Sequence, residues 1–436
     1  MMKEQRQNSQ IRNITARQVL DSRGNPTVEV EVTTGDGVFR AACPAETSSK
    51  LEAVSLRDGD RAWSGKSVSK AVANVASLVL HPLVGVSVQD QSQIDALLSE
   101  IDGTSRFELL GANVAFPVSA ACCLAGAANA RVPLWKFIAK AADTKKCSVP
   151  VPLVSVMQGG PSSQNTLPFN DLMIAPFGAT AFFEAAKVAN EMTIDIQKQL
   201  AMKGVTEEGG QVPKGLKNIE DYLEVINQTI HNSALEGKCG ICIDCSSKNF
   251  VIKQKDSVNK YDLGYKKDVR NYYIGTELAD YYIKLIQAYP ILSLQDPFDA
   301  EEFETYAYFK KQLEKNNLKV QIFVDDMTQS QQDMIHNIAE SKIVNGCLIK
   351  PNQAGTVTNA INAFKTATAA GWKALVHARY GDTADCFLSH FSVGVSSELI
   401  QVGGFQRSER TSKINELLRI EECGEVVYGC QDWVQQ

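Results

Sequence analysis

Residues 288–299 read AYPILSLQDPFD, an apolar run that ends in Gln295 and Asp296 before Pro297 interrupts the chain. A short apolar run that ends in polar residues and a proline is typical of a buried strand with functional groups at its carboxyl end. Six other short apolar runs, each followed by a polar residue or a turn, lie between residues 151 and 379, namely VPLVSV, LMIAP, ICIDCS, VQIFVDD, GCLIK and KALVHAR. A turn and a helical stretch follow each run, which indicates parallel βα units.

These units predict a closed barrel rather than an open doubly wound sheet, because no glycine-rich dinucleotide fingerprint follows any of the runs. Residues 11–40 instead alternate apolar and polar positions around the turn TGDG, which predicts antiparallel strands. Helical spacing appears at 68–80, 90–101 and 105–142. The predicted fold class is therefore α/β, with a smaller N-terminal α+β domain over 1–143 and a C-terminal TIM-like βα barrel over 144–436.

Composition and charge exclude several classes of function. The 436 residues are 44% hydrophobic and 22% charged, with a net charge of -6 and scattered Lys and Arg, so we expect no nucleic-acid partner. The first ten residues, MMKEQRQNSQ, are polar and do not resemble a secretory signal. We expect no membrane-spanning run of about 18 apolar residues and a cytoplasmic location.

Eleven cysteines in such a chain are expected to be reduced thiols packed as small apolar side chains. Cys239, Cys242 and Cys245 in KCGICIDC have the spacing of a metal knuckle. They lie in an apolar run that reads as a strand, where a spacing of three places side chains on alternate faces. We therefore expect no metal site there.

The side chains at the predicted strand ends point to a different site. They are Asp244, Gln295 with Asp296, Asp325 with Asp326, Lys350 and Arg379. An acid after a strand is often only a helix cap or a solvated loop residue. Five consecutive strand ends that supply acids and then bases favour a common site at the barrel mouth, where such folds place their chemistry.

The residue types suit an anionic, metal-bound ligand. Asp244 and Asp325 offer the hard oxygens that Mg²⁺ prefers. Lys350, opposite such an ion, is placed to remove a proton alpha to a carboxylate while the metal absorbs the developing charge. Arg379 offers a planar fork for a phosphate.

Longer stretches of the chain resemble enolases, the phosphopyruvate hydratases of glycolysis. These stretches are ITARQVLDSRGNPTVEVEV at 14–32, LRDGD at 56–60, EGG at 208–210, DPFD at 296–299, DDMT at 325–328, LIKPNQAGTVT at 348–358, and RSER followed by INELLRIEE near the C-terminus. The resemblance implies a homodimer and the Mg²⁺-dependent conversion of 2-phosphoglycerate, or a similar phosphorylated acid, to phosphoenolpyruvate.

The resemblance also implies roles for five retained residues. Lys350 matches the catalytic base, and Glu208 matches the acid that assists departure of the hydroxyl group. Asp244 and Asp325 match two of the three carboxylates around the first metal. Arg379 matches an arginine that binds the substrate phosphate.

Other positions depart from the family pattern. Gln295 stands where the third metal ligand is a glutamate, so the metal site loses one negative charge and we expect weaker Mg²⁺ binding. Gln401 replaces a lysine that binds the substrate carboxylate, which removes a positive charge. Asp171 matches the second acidic helper on a shorter side chain, and Thr47 replaces a serine at the second metal.

Three departures alter the pocket wall. Ser162 and Ala378 stand where the family has histidines, and Tyr380 replaces a serine that binds phosphate. A one-residue slip would offer His377 in place of the lost imidazole, but it would turn the neighbouring side chains to the other face. We expect a catalytically impaired member used as a structural or binding subunit, with a larger protein assembly as one partner. The alternative is a working Mg²⁺-dependent enolase of glycolysis.

Overall fold

The structure is a computed structural model that describes residues 7–45, 52–161, 163–200, 204–255 and 258–429. Two of the predicted site residues, Thr47 and Ser162, lie outside the described residues. The division of the chain at residues 143 and 144 stays a prediction.

The N-terminal part opens with the antiparallel sheet that the alternating pattern predicts. Its strands are β1 (Asn13–Leu20), β2 (Pro26–Thr33) and β3 (Val38–Ala42), paired in the order β1-β2-β3. Val28, Val30 and Val32 on β2 are fully buried against the helices. The alternation of apolar and polar residues along the strand therefore gives the sheet one side that faces the core.

Helices cover the buried side of this sheet. They are α1 (Ser69–Asn74), α2 (Leu80–Leu83), α3 (Gln91–Asp102), α4 (Ala112–Ala130) and α5 (Leu134–Ala142), with a 3-10 turn at Ala62–Gly65 and a π-helical turn at Val75–Val79. By length and composition α4 is apolar enough to cross a membrane, so the expectation that no such run exists was wrong. The helix packs on β2 and β3, and 89% of its most apolar window is buried, which accounts for its composition.

The C-terminal part contains the predicted barrel. Its strands are β4 (Ser148–Val149), β5 (Val151–Gln158), β6 (Asp171–Ala175), β7 (Gly240–Asp244), β8 (Val251–Ile252), β9 (Lys260–Asp262), β10 (Tyr272–Ile274), β11 (Ile291–Gln295), β12 (Gln321–Val324), β13 (Gly346–Ile349), β14 (Lys373–His377), β15 (Leu399–Gly403) and β16 (Val427–Tyr428). Eight of these described strands close in the order β11-β12-β13-β14-β15-β5-β6-β7. The predicted fold class is confirmed, and β15 is the barrel strand that the seven sequence runs did not include.

The barrel is surrounded by helices in the connections between its strands. These helices are α6 (Phe182–Gln199), α7 (Ile219–His231), α8 (Gly275–Ala288), α9 (Phe303–Lys315), α10 (Gln332–Ser341), α11 (Pro351–Ala354), α12 (Val357–Ala369), α13 (Phe387–Gly394) and α14 (Ser408–Glu422), with a 3-10 turn at Ser247–Asn249. The three short strands β8, β9 and β10 form a separate antiparallel sheet.

One strand contradicts the expectation of parallel units throughout. Strand β6 runs antiparallel to both β5 and β7. The described part of the connection from β5 to β6 has no helix, and a parallel crossover normally needs one. Reversal of β6 places its first residue, Asp171, beside Asp244 at the same end of the barrel as the last residues of the parallel strands.

Alternation along the strands decides which side chains reach the barrel mouth. Leu348, Leu375 and Leu399 belong to the apolar cluster inside the barrel. Residues two positions further along each strand face the same side. The interior of the barrel mouth is therefore built from the polar residues that follow these leucines, Lys350, His377 and Gln401.

The three clustered cysteines are divided between two packing layers. Cys242 belongs to the apolar cluster inside the barrel, whereas Cys239 and Cys245 belong to the core outside it. All three are buried free thiols. The Cys242 thiol therefore faces the opposite side of the strand from the other two thiols.

Candidate active site

The predicted strand-end residues meet at one mouth. Asp244, Gln295, Asp325 and Lys350 stand at the ends of four neighbouring strands, β7, β11, β12 and β13. With Arg379, Tyr380 and Glu208 they line a cavity of about 230 Å³. The strand order thus brings together residues that lie far apart in sequence.

Lys350 and Asp325 form an ion pair at the centre of the mouth. The Lys350 Nζ atom donates to Asp325 Oδ2 over 2.6 Å, and both side chains are largely buried. Burial acts to raise the pKa of Asp325, but the Lys350 ammonium outweighs it and holds this pKa at about 2. Asp325 is therefore an ionised carboxylate at neutral pH, and the Lys350 ammonium is engaged by it.

The two glutamines that depart from the family pattern, Gln295 and Gln401, bind each other. The Gln295 Nε2 atom donates to Gln401 Oε1 over 2.7 Å, and both side chains are 1% exposed. Strands β11 and β15 are diametrically opposite in the eight-stranded order, so this hydrogen bond crosses the barrel. An amide pair, without net charge, occupies the place where the family resemblance implies a glutamate and a lysine.

The two predicted acid helpers are also buried together. Asp171 accepts a short hydrogen bond from Ser155 Oγ, and Glu208 accepts one from Gln158 Nε2 over 3.1 Å. Burial, with Glu208 nearby, raises the pKa of Asp171 well above its usual range. The arrangement favours a protonated carboxyl group at Asp171.

Glycine 403 lets the strand end approach the backbone of Glu208. Gly403 has a positive φ of 97°, and a β-carbon there would overlap the Glu208 carbonyl oxygen. The neighbouring Gly404 N–H donates to the same oxygen over 2.6 Å. The position of Glu208 therefore depends on the absence of a side chain at residue 403.

We expect Gly403→Ala to lower the free energy of unfolding by about 3 kcal/mol, because strain and overlap add. Gly371→Ala is the matched control, since Gly371 also has a positive φ of 77° but nothing within 4 Å of its added carbon. Strain alone should cost the control about 1 kcal/mol. Urea unfolding of both variants measures the difference, and equal losses would show that the contact with Glu208 is unimportant.

The predicted phosphate-binding arginine has an internal partner. The Arg379 Nη1 atom donates to Glu52 Oε2 over 2.6 Å, and both side chains are almost fully buried. Glu52 comes from the N-terminal part of the chain, so this pair ties it to the barrel. The sequence contained no local signal for the contact, because the partners are 327 positions apart.

Tyr380 enters a chain of hydrogen bonds that the sequence did not predict. Its hydroxyl group lies 2.8 Å from Asn170 Nδ2 and 3.0 Å from Asn170 Oδ1. The same Asn170 amide nitrogen donates to Asp244 Oδ2 over 2.7 Å. Above them, the Arg23 guanidinium lies 5.2 Å from the centre of the Tyr380 ring and binds Glu207.

The imidazole at the mouth comes from His377 without any slip of register. His377 pairs with Gln401 in the regular ladder of β14 and β15, and its side chain lines the mouth together with Ala378. A one-residue slip is not needed, because strand alternation already faces His377 inward. Burial, with the Lys350 ammonium nearby, lowers the pKa of His377 well below its usual range, so the ring is neutral.

The residues present fit a hard cation such as Mg²⁺. Asp244, Gln295 and Asp325 present oxygen atoms from three neighbouring strands, and Asp325 Oδ1 is buried without a hydrogen-bond partner among the described residues. Asp244 accepts from Ser246 Oγ over 2.9 Å as well as from Asn170, which orients its carboxylate. When bound there, Mg²⁺ stabilises negative charge that develops on a ligand carboxylate.

A second set of carboxylates adjoins Asp325. Oxygen atoms of Asp296, Asp325 and Asp326 lie within 4.8 Å of one another. Asp296 accepts from the backbone N–H of Asp325 over 3.0 Å, and Asp326 binds Lys248 Nζ over 2.7 Å. These contacts explain how the carboxylates are held close together despite their repulsion.

Comparison with known proteins agrees with this geometry. One family model, described as the enolase N-terminal domain, matches residues 11–138, and another, the enolase C-terminal TIM barrel domain, matches residues 146–434. The chain belongs to the enolase family. Cytosolic enolase 3 of Arabidopsis thaliana is 37% identical over 439 residues, which cover 98% of this chain and 90% of that protein.

The family membership confirms the resemblance seen in the sequence motifs. Enolases are phosphopyruvate hydratases, which are lyases that depend on Mg²⁺, bind 2-phosphoglycerate and commonly form dimers. The roles of individual residues in this member, including Lys350, Glu208, Asp171 and the ligands of the metal, stay predictions.

Proposed function

We propose that this enolase-family protein converts 2-phosphoglycerate to phosphoenolpyruvate only very slowly and serves as a structural or binding subunit. The amide pair between Gln295 and Gln401 is the main support. The resemblance implies a metal-binding glutamate and a lysine for the substrate carboxylate at these positions. Their replacement by two hydrogen-bonded amides removes both charges from a site that has to stabilise extra charge in the transition state.

Further replacements act on the same transition state. Ala378 takes the place of an imidazole, and Tyr380 places a phenol where a small hydroxyl group is implied. Loss of a single well-placed charge or donor commonly lowers turnover by about 10²-fold. Losses at several residues that act together are not additive, but they leave little turnover.

A working Mg²⁺-dependent enolase of glycolysis is the second candidate. The five retained residues, Lys350, Glu208, Asp244, Asp325 and Arg379, favour it, because all of them line the mouth. In this alternative, Gln295 binds the metal through its amide oxygen, and His377 supplies the imidazole.

Mg²⁺ binding and assembly follow from the same proposal. Two carboxylates and one amide attract the ion less strongly than three carboxylates do, so we propose weaker Mg²⁺ binding than is usual in the family. We further propose a homodimer, a larger protein assembly as partner, and a cytoplasmic location like that named for the Arabidopsis relative.

Turnover of 2-phosphoglycerate distinguishes the two candidates. We expect phosphoenolpyruvate formation, followed by ultraviolet absorbance with Mg²⁺ in excess, to be slower than that of an ordinary enolase by about 10³-fold or more. Turnover within tenfold of the ordinary enzyme would refute the impaired-enzyme proposal. The single change Gln401→Lys should not restore turnover, because Gln295 and the replaced histidines remain.

The binding role has its own test. Affinity purification from native extract is expected to recover a second protein in a stable ratio with this chain. Recovery of nothing but the free homodimer would count against a structural subunit, whatever the turnover assay shows.

A further inference from the structure

Tyr380 closes the part of the mouth that faces Asp244. Its hydroxyl group is held by Asn170, which also holds Asp244, while its ring lies beneath the Arg23 guanidinium. Burial, with Glu208 and Asp244 nearby, raises the pKa of Tyr380, so the phenol stays neutral. The neutral Tyr380 side chain is therefore fixed by Asn170 at its hydroxyl group and by Arg23 over its ring. It occupies space beside Glu208 and Asp244.

Each cation that lines the described mouth is paired with its own carboxylate. Lys350 binds Asp325, Lys248 binds Asp326, Arg379 binds Glu52, and Arg23 binds Glu207. The buried Arg379 pair is the costliest to open, because separation leaves a charge without compensation in a dry environment. A dianionic phosphoryl group would compete with these carboxylates for the same cations.

A smaller negative charge is easier to accommodate. The Lys350 ammonium carries three N–H donors, and Asp325 takes one of them. The hydroxyl group of Tyr380 and the amide of Asn170 are uncharged groups that suit ligand hydroxyls. The cavity of about 230 Å³ is smaller than pockets for drug-sized ligands, which suits a ligand of few heavy atoms.

We propose that Tyr380 is a specificity-determining residue that excludes a phosphoryl group, so that the mouth takes a small unphosphorylated hydroxy acid. This inference rests on the proposed function, since a site that no longer processes phosphoglycerate is free to prefer another ligand. The carboxylate of that ligand binds Lys350, and its hydroxyl groups face Asn170 and Tyr380. No covalent step is involved.

Calorimetric titration of the full-length protein with Mg²⁺ present tests the inference. The probes are glycerate, 2-phosphoglycerate and inorganic phosphate. We expect the unmodified protein to bind glycerate at least about tenfold more tightly than either phosphorylated probe. Tyr380→Ser, which removes the ring and keeps a hydroxyl group, should tighten 2-phosphoglycerate binding at least about tenfold.

Tyr380→Phe is the matched control, because it keeps the ring and removes only the hydroxyl group. It should still reject 2-phosphoglycerate and should bind glycerate more weakly. Thermal melting establishes that each variant is folded. The inference is overturned if the unmodified protein binds 2-phosphoglycerate more tightly than glycerate, if no probe binds, or if folded Tyr380→Ser gains no affinity for 2-phosphoglycerate.

Failure of this inference is separable from failure of the proposed function. Rapid conversion of 2-phosphoglycerate by the unmodified protein would refute the proposed function. Tight binding of 2-phosphoglycerate without conversion would refute the assignment of Tyr380 alone.

Discussion

The double replacement of Gln295 by Glu and Gln401 by Lys should lower the free energy of unfolding by far less than the sum of the two single replacements. Either single change buries one charge opposite a neutral amide, and an unpaired buried charge costs about 3 kcal/mol or more. In the double variant the carboxylate and the ammonium stand where the amides now lie 2.7 Å apart. We therefore expect a coupling energy of about 2 kcal/mol in favour of the pair.

Urea unfolding of the four proteins in the cycle measures this coupling. Gln211→Glu combined with Gln401→Lys is the matched control, because Gln211 is equally buried but has no hydrogen bond to Gln401 within the described residues. The control pair should be additive to within about 0.5 kcal/mol. Additivity in the Gln295 and Gln401 cycle as well would mean that the amide bridge does not form in solution.

The double variant also bears on metal binding. The added carboxylate joins Asp244 and Asp325 and supplies the third negative charge that the family pattern implies. We expect Mg²⁺ to raise the melting temperature of the double variant at lower concentration than it does for the unmodified protein. Identical Mg²⁺ dependence would contradict the weakened metal binding that we attribute to Gln295.

Removal of the Lys350 ammonium should strongly destabilise the folded protein. Lys350→Met leaves the buried carboxylate of Asp325 without its cation, and breaking a buried pair in this way costs about 3–5 kcal/mol. The loss should depend on pH. The folded pKa of Asp325, about 2, lies below its ordinary value of 3.8, so the pair stabilises the fold above pH 3.8, and this contribution is lost as the pH falls through about 2.

The difference in unfolding free energy between the unmodified protein and Lys350→Met should therefore be largest near pH 7 and shrink as the pH falls below 4. Urea unfolding at several pH values measures it. Lys145→Met is a control at an exposed pair with Asp143, where the expected loss is small. If Lys350→Met lowers the free energy of unfolding as little as the control does, the ion pair between Lys350 and Asp325 is not formed.

Much of the barrel was predictable because its signals are local. Seven apolar runs, each followed by a polar residue or a turn, marked seven of the eight strands. Leu348 and Lys350 face the same side of β13 because side chains alternate between the two faces of a strand. The missed strand, β15, carries Gln401 in the run LIQVG, where a single polar residue among apolar ones does not stand out.

The reversal of β6 was not predictable from periodicity. A buried strand has the same apolar run whichever way it points. The direction depends on the connection from β5, which has no helix in its described part. Asp171 was nevertheless identified, because the family motif located it independently of strand direction.

The sequence by itself determined most of the barrel strands, the family, and the residue types that gather at the barrel mouth, because propensity, alternation and motifs act over short distances along the chain. Only the tertiary structure decided the partners of those residues. Gln295 binds Gln401 across the barrel, Arg379 binds Glu52 from the N-terminal part, and Tyr380 binds Asn170. Such contacts arise when the barrel closes and the two parts of the chain pack together, and no local pattern of residues encodes them.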